Sequence, residues 1–368
     1  MSMTARNDRE ASEVVGKTLK SGRAAWLLAA LAILILGAGA GCGGDDDDDG
    51  GGSGGLDQVK VQLDYVIRGN HAPFFVADEK GFFEREGIEI ENVQEGTGSA
   101  DAMRIVGSGG ADFGFGDLPT LALARSQGLP VRSIAAVNQH SPLAFCAKAD
   151  KFTLSEPSDL EDKRVSVHPG QSTDLFYRAF VAANDVDSDS IEERTVEPPY
   201  ENYLLQDRVD VVPCYIDAEV PILEEKAGGD GSLSIMLGAD HGYEALGSGL
   251  FTNEELIESD PDLVQRFTNA YLEGLQWVID HPEESAALLA ETRPQLAESE
   301  GLFTAQLQAD IDNTFTSPVT EQNGLGYADP KAWDATVRIL DDQGVLEESI
   351  EPGDAFDNQF AEKAGAGG

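Results

Sequence analysis

Short apolar runs and helically spaced apolar positions take turns along this chain from Val59 onward. Val59–Tyr65, Ile88–Val93, Ala111–Phe115 and Val131–Asn138 are strand-like runs. Between them, Ala72–Lys80, Ala100–Gly107 and Thr120–Gln127 follow a helical pattern. This alternation predicts a mainly parallel sheet. Pro142–Ala149 could cross to a second unit. That unit has strands at Arg164–His168, near Glu193–Val196, at Val209–Tyr215 and at Leu233–Leu237. Its helices run over Thr173–Ala183, from Glu201, and over Asp217–Lys226. Ser248–Thr252 could return to the first unit. From Glu254 the pattern is helical, over Asp262–Ile279, Pro282–Glu291, Thr304–Phe315 and Asp329–Asp342.

Three junctions lead from a strand through small or polar residues into a helix: Asn70-His71, Gly96-Thr97-Gly98-Ser99, and Asp117-Leu118-Pro119. Such junctions place backbone N–H groups and cap side chains at the carboxyl ends of strands, where open α/β sheets bind ligands. The two units also echo each other. Gly110-Ala111-Asp112-Phe113-Gly114 resembles Arg208-Val209-Asp210-Val211-Val212, a helix end feeding a strand through an aspartate. About 310 residues follow the low-complexity region, more than one hydrophobic core usually holds. Two similar α/β lobes joined by two crossings, with a cleft between them, account for the pattern.

The front of the chain sets the compartment. Lys17, Lys20 and Arg23 precede an apolar run over Ala24–Leu36, then small residues and Cys42. A positive region, a short apolar region and a small-residue exit describe a secretory signal. The run is short for a membrane span of about 20 residues. Cys42 after small residues resembles a lipidation site, although Gly39 stands where leucine is usual. Cleavage without lipid and an uncleaved anchor are the alternatives, and each leaves the folded part outside the cytoplasm. Asp45–Asp49 and the glycines around them read as a solvated tether, since they lack the spaced ligands of a calcium loop.

Charge narrows the partners. With 67 acidic and 25 basic residues the net charge is −42, which argues against nucleic acid and against charge-driven binding to anionic lipid. No metal-ligand spacing is present, and neither a metal nor a cofactor is expected. Beyond Cys42 only Cys146 and Cys214 remain; they could pair in an oxidising compartment or stay as buried thiols.

HAPFFVADEKGFFEREGIEI (71–90), GTGSADAMRIVGSGGADFGFGDLPTLALARSQGLPV (96–131), PSDLEDKRVSV (157–167), the block at 253–289 and GLGYADPKAW (324–333) together carry a family resemblance. The chain resembles the substrate-binding proteins of ABC importers for sulfonates, nitrate or taurine, and thiamine pyrimidines, from about Gln58 to Leu346. The resemblance implies an α/β, periplasmic-binding-protein-like (type II) clamshell of two lobes with two hinge crossings. It implies a small-molecule ligand captured by hinge closure, an ABC permease and its ATPase as partners, and membrane attachment through the lipid anchor. The expected division is a signal peptide (1–41), Cys42 and tether (42–56), first lobe (57–145), second lobe (146–247), return to the first lobe with C-terminal helices (248–350), and a flexible tail (351–368).

Candidate ligand contacts follow, each with a plainer reading. Asn70 and His71 resemble the Asn-His of the pyrimidine binders, but Asn also caps a helix unaided. Asp64 and Tyr65 end the first strand where the family often has Asp-Trp; Tyr65 would stack on a flat ligand or join the core. Thr97 and Ser99, like Ser172 and Thr173, precede helices and suit an anion or simply cap. Asp117 would cap its helix or accept from a ligand amine. Tyr215 and Glu219 follow the second-lobe strand, and Glu219 resembles a ligand contact of the pyrimidine binders. Arg68, the only basic residue near the first junction, would serve an anion. A thiamine-pyrimidine precursor or similar flat heterocycle is the favoured ligand, with sulfonate, taurine or nitrate as the alternative.

The resemblance extends to a thiamine-pyrimidine synthase that needs a cofactor-binding lysine and a cysteine-rich iron motif. No lysine lies between Val61 and Glu79, and Ala245–Leu250 holds no cysteine. A binding protein without catalytic residues is therefore expected.

Overall fold

The structure, a computed structural model, describes residues 55–197 and 199–366; the signal segment, Cys42 and Asp45–Asp49 lie outside the described residues. Among the described residues ten strands form two five-stranded sheets. The first contains β1 (Asp57–Gln62), β2 (Ile88–Gln94), β3 (Phe113–Asp117) and β4 (Val131–Ala136). The second contains β5 (Leu143–Lys148), β6 (Arg164–Val167), β7 (Glu192–Thr195), β8 (Val211–Tyr215) and β9 (Leu233–Leu237). β10 (Ser248–Asn253) returns to the first sheet.

The strand orders are β2-β1-β3-β10-β4 and β7-β6-β8-β5-β9. Three strands in each sheet are parallel, β2-β1-β3 and β7-β6-β8. In each, a strand from the other side of the crossing lies antiparallel between two neighbours. β10 separates β3 from β4, and β5 separates β8 from β9. The sheets are thus mixed rather than mainly parallel. Each lobe inserts its crossing strand, and a strand that arrives from a neighbouring lobe needs no right-handed crossover helix.

The echo noticed in the sequence has a physical basis. Asp112 takes the backbone N–H of Lys60 on its carboxylate at 2.8 Å and donates its own N–H to the Lys60 carbonyl at 3.0 Å. Asp210 does the same to Arg164, at 3.0 and 2.8 Å. In each lobe this aspartate fastens the head of one parallel strand to its neighbour.

Burial explains the strand sequences. β3 reads Phe-Gly-Phe-Gly-Asp and is buried throughout, as a central strand covered on both faces is. A Cβ on Gly114 would stand 2.3 Å from the Phe251 ring, so glycine makes room for that ring. The first core gathers Val59, Val61, Phe74, Phe113, Phe267 and Tyr271; the Phe113 and Phe267 rings stack at 3.7 Å. A second core joins Phe145, Phe176 and Phe180 to Leu118, Leu121 and Trp333. The helix Pro330–Asp342 contacts helices of both lobes, Leu118–Ser126 and Ser172–Ala183.

Three expectations change. A lobe boundary at 145/146 would cut β5, which lies wholly in the second sheet; the crossing occupies the residues between β4 and β5. The segment 351–368 is not a loose tail over its described part. Gln359–Ala366 is helical, and Phe360 and Ala361 enter the first core, an apolar pair too small to stand out in a polar sequence. Cys146 and Cys214, left open between thiols and a bridge, form a disulfide between β5 and β8, with Cα atoms 6.0 Å apart. Among the described residues no helix is long and apolar enough to cross a membrane.

Both cysteines are buried and 68 residues apart in sequence. Replacing both by alanine is expected to lower unfolding free energy by about 2–4 kcal/mol in urea titrations. Equal midpoints for the oxidised protein and the variant would contradict this.

Candidate functional site

The carboxyl ends of the parallel strands in the two sheets face each other. Asp64, Tyr65 and Arg68 follow β1, Gly98 and Ser99 follow β2, and Gln171, Ser172 and Thr173 follow β6. Tyr200 follows β7, and Tyr215 and Glu219 end and follow β8. These residues line one pocket. The close entry of the chain at β2 depends on Gly96, where a Cβ would lie 2.2 Å from the Leu63 carbonyl.

Arg68 stands at the centre of this pocket and is 8 % exposed. Its Nη2 donates to Asp64 Oδ2 at 3.3 Å within its own lobe, and its Nη1 donates to Glu219 Oε1 at 3.2 Å across the cleft. The guanidinium carbon lies 5.1 Å from the Tyr65 ring centre and 5.3 Å from that of Tyr215. Tyr65 faces Tyr200 of the other lobe with centroids 6.3 Å apart and planes 21° from parallel. Gln171 Nε2 also reaches across, donating to Asp101 at 3.3 Å. The lobes are shut on one another. The space left among these residues is about 20 Å³, room for about one water. A second cavity of about 400 Å³ shares Tyr65, Arg68 and Glu219 and runs outward past Ile67, Ala218, Ile222, Leu302 and Phe303.

The charges are set by this packing. Burial alone would raise the Asp64 carboxyl, but Arg68 and a hydrogen bond from His71 outweigh it and hold Asp64 below the usual carboxylate range. Glu219 accepts from the Tyr215 N–H at 2.9 Å, yet burial pushes it up to about 7 despite Arg68. Burial also raises the Tyr65 and Tyr200 hydroxyls, which stay protonated donors. Tyr215 donates to Ser172 Oγ at 2.7 Å.

Of the residues expected from sequence, Asp64, Tyr65, Ser99, Ser172, Thr173, Tyr215 and Glu219 come together in the pocket. Asn70, His71, Thr97 and Asp117 are not among its lining residues. Both ring nitrogens of His71 are engaged, Nε2 with Asp64 at 2.9 Å and Nδ1 accepting the Arg68 N–H at 3.3 Å. His71 is fully buried, and burial lowers its pKa, so it serves as a neutral strut beneath Asp64. Thr97 is exposed and donates to Asp101. Asp117 caps its helix through Thr120 N–H at 2.9 Å and hydroxyl at 2.5 Å, and burial pushes it up to about 7. Asn70 is buried with its side-chain oxygen lacking a partner.

Sequence reasoning passed over Tyr200 and Gln171. An aromatic after two prolines and a polar residue after Gly170 carry no signal until the facing lobe is in place. Among the described residues no group of three or more His, Cys, Asp or Glu side chains could hold a metal.

Comparison with known proteins follows the same lines. Residues 68–285 match the family described as NMT1/THI5 like. The chain is 27 % identical over 310 residues to the riboflavin-binding protein RibY of Chloroflexus aurantiacus, covering 83 % of this chain and 86 % of that one. It is 28 % identical over 307 residues to the formylaminopyrimidine-binding protein of Halalkalibacterium halodurans, covering 82 % and 90 %. A 4-amino-5-hydroxymethyl-2-methylpyrimidine phosphate synthase of Legionella pneumophila is 26 % identical over 239 residues, covering 65 % and 75 %. In fold, the chain is similar to the alkanesulfonate-binding protein SsuA of Xanthomonas axonopodis pv. citri. The TM-score is 0.64 at 14 % identity, covering 83 % of this chain and all of that one. These neighbours bear out the two-lobe, periplasmic-binding-protein architecture.

Removing the Asp64 carboxylate leaves Arg68 buried and short of a partner. Asp64→Ala is expected to cost about 3–5 kcal/mol of unfolding free energy in urea titrations at neutral pH. Because Asp64 is held below its ordinary value, its contribution is present above the ordinary carboxylate range and is lost as pH falls through the depressed value. The gap between wild type and variant therefore narrows on acidification. A gap that stays constant would contradict the assignment.

Proposed function

The chain belongs to the NMT1/THI5-like family, and from that premise we propose that it is the extracytoplasmic solute-binding component of an ABC importer. On this reading it captures a flat nitrogen heterocycle, of the kind exemplified by a thiamine-pyrimidine precursor, by closure of its lobes. It then delivers the solute to a membrane permease driven by an ATPase. The signal segment and Cys42 support a lipid-anchored protein outside the cytoplasm, and the Cys146–Cys214 bridge suits an oxidising compartment.

One observation carries the ligand class. Two carboxylates and two tyrosine faces converge on the Arg68 guanidinium. A guanidinium is flat, rich in N–H donors and suited to stacking. The surroundings that suit it also suit an amino-substituted heterocycle, with carboxylate acceptors at its edge and aromatic rings at its faces. A sulfonate or nitrate would meet Asp64 and Glu219 instead, with the one nearby guanidinium already paired to both. The names of the riboflavin- and formylaminopyrimidine-binding relatives agree with this choice.

Binding rather than synthesis is the reading for the same residues. Some relatives are named as synthases. In this chain His71 has neither nitrogen free, and no lysine stands between Val61 and Glu79.

Calorimetric titration of a formylaminopyrimidine into the full chain tests the proposal. Glu219→Gln and Tyr65→Ala are each expected to weaken binding by more than about tenfold, that is about 1.4 kcal/mol. Unchanged affinity in both variants would remove these residues from the site. With an alkylsulfonate as ligand instead, Arg68→Ala would be the costliest change and Glu219→Gln neutral, and that pattern would overturn the heterocycle reading.

A further inference from the structure

The helix Glu219–Ala227 reads Glu-Val-Pro-Ile-Leu-Glu-Glu-Lys-Ala. Val220 and Leu223 enter the core of the second lobe, while Ile222, between them in sequence, stays half-buried on another face. Leu302, on the helix Glu300–Asn313 of the first lobe, is half-buried too, and Val66 after β1 is 49 % exposed. Among the described residues none of these three joins a hydrophobic core. They meet instead around the cavity of about 400 Å³, with Ile67, Leu296 and Phe303 beside them.

Away from the end it shares with the ligand pocket, this cavity is mainly apolar. Gln306 lies in its wall, but Oε1 accepts the Gly69 N–H at 2.9 Å and Nε2 donates to the Ala218 carbonyl at 3.0 Å, so both ends are engaged. Glu201 Oε1 stands 3.8 Å from Lys226 Nζ, and Ser299 is the remaining polar side chain of the wall. At the shared end stand Tyr65, Arg68 and Glu219. Arg68 is buried there, and its Nε has no acceptor. Size decides what each space can hold. The room of about 20 Å³ among the facing strand ends admits one water. Sites for small organic ligands run from about 300 to 1,000 Å³, a range that only the outer cavity of the two reaches.

We infer that the apolar cavity is the second half of the solute site and takes a hydrophobic body carried by the heterocycle. The solute is thus two-sided. Its donor-bearing edge lies at Glu219, and an apolar ring or alkyl portion lies against Val66, Ile222, Leu302 and Phe303. A ring nitrogen or carbonyl where the two halves join gives Arg68 Nε the acceptor it lacks. A bare aminopyrimidine satisfies the polar end alone. The class that fills both ends is a fused-ring heterocycle, or one bearing an alkyl or aryl group. This rests on the heterocycle reading of the same site and narrows it.

The two halves divide the work of recognition. Hydrogen bonds at Glu219 and Arg68 are directional and fix how the ring is turned. Apolar burial has no direction and grows with the area covered. Each methylene taken out of water in the cavity strengthens binding by up to about fourfold. Both lobes supply the wall, Leu302 and Phe303 from the first and Ile222 and Ala218 from the second. A body seated there is therefore gripped from both sides.

Calorimetric titration of the full chain with two series of aminopyrimidines tests this. The series carry hydrogen, methyl, ethyl, propyl or butyl, either on the carbon next to the amino-bearing one or on the carbon between the ring nitrogens. In wild type the butyl member of at least one series should bind at least about tenfold tighter than the unsubstituted compound. Ile222→Trp fills the cavity from the second lobe and should bring that ratio close to unity. Leu302→Trp fills it from the first lobe and carries the same test if Ile222→Trp fails to fold. A wild-type ratio close to unity, with the unsubstituted compound bound, would overturn the inference and leave the heterocycle reading standing. A large ratio that survives both tryptophan variants would put the alkyl group outside the cavity and overturn it as well. Binding by no member of either series would overturn both readings.

Discussion

Arg68 is held in common by the two lobes, and most of the cleft is arranged around that fact. A guanidinium with little access to water is costly unless acceptors meet it. Asp64 meets Nη2 from the same lobe and Glu219 meets Nη1 from across the cleft, while Nε has no hydrogen-bond partner. His71 braces Asp64, the Tyr215 N–H braces Glu219, and Tyr65 and Tyr215 cover the faces of the charge. In the proposed function, a solute that offers its own donors to Glu219 would take the place of the Arg68 contact, so that closure and recognition would share the same atoms.

The fold makes that sharing possible through duplication. Each lobe has three parallel strands whose carboxyl ends point at the cleft, and one antiparallel strand delivered by a crossing. Asp112 and Asp210 fix equivalent strand pairs at their far ends. The seam combines polar contacts, Arg68 with Glu219, Gln306 with Ala218 and Gln171 with Asp101, with an apolar core that Leu118 and Leu121 of the first lobe share with Phe145, Phe176 and Phe180 of the second. The polar contacts suit a hinge, because each group parted from its partner finds water instead.

Much of this was legible before the structure. Strand and helix positions followed from short apolar runs, which are the central strands buried at nearly every position, and from helically spaced apolar positions between them. The Asp112/Asp210 echo was visible as a repeated word, and Glu219, Asp64 and Tyr65 were marked by their place at strand ends. What could not be read were relations between lobes. Tyr200 and Gln171 gain meaning only from the surface opposite, and Arg68 looked like an anion anchor because its two carboxylate partners lie 4 and 151 residues away. His71 was drawn toward the ligand by family likeness, whereas its nitrogens are used up locally. Pro142–Ala149 and Ser248–Thr252 were read as crossings, but not as antiparallel strands inside the sheets, because an apolar run does not record its direction.

The balance of charge around Arg68 is the centre of the account, and solute selectivity reads it most directly. The measurement is a thermal-shift screen of the full chain at low and high salt. The panel would hold aminopyrimidines, thiamine and riboflavin beside taurine, alkylsulfonates and nitrate. A ligand that binds only the folded state raises the melting temperature. The account predicts a rise with one or more of the nitrogen heterocycles that survives high salt, and none with the oxyanions. A rise with sulfonates or nitrate alone would contradict it.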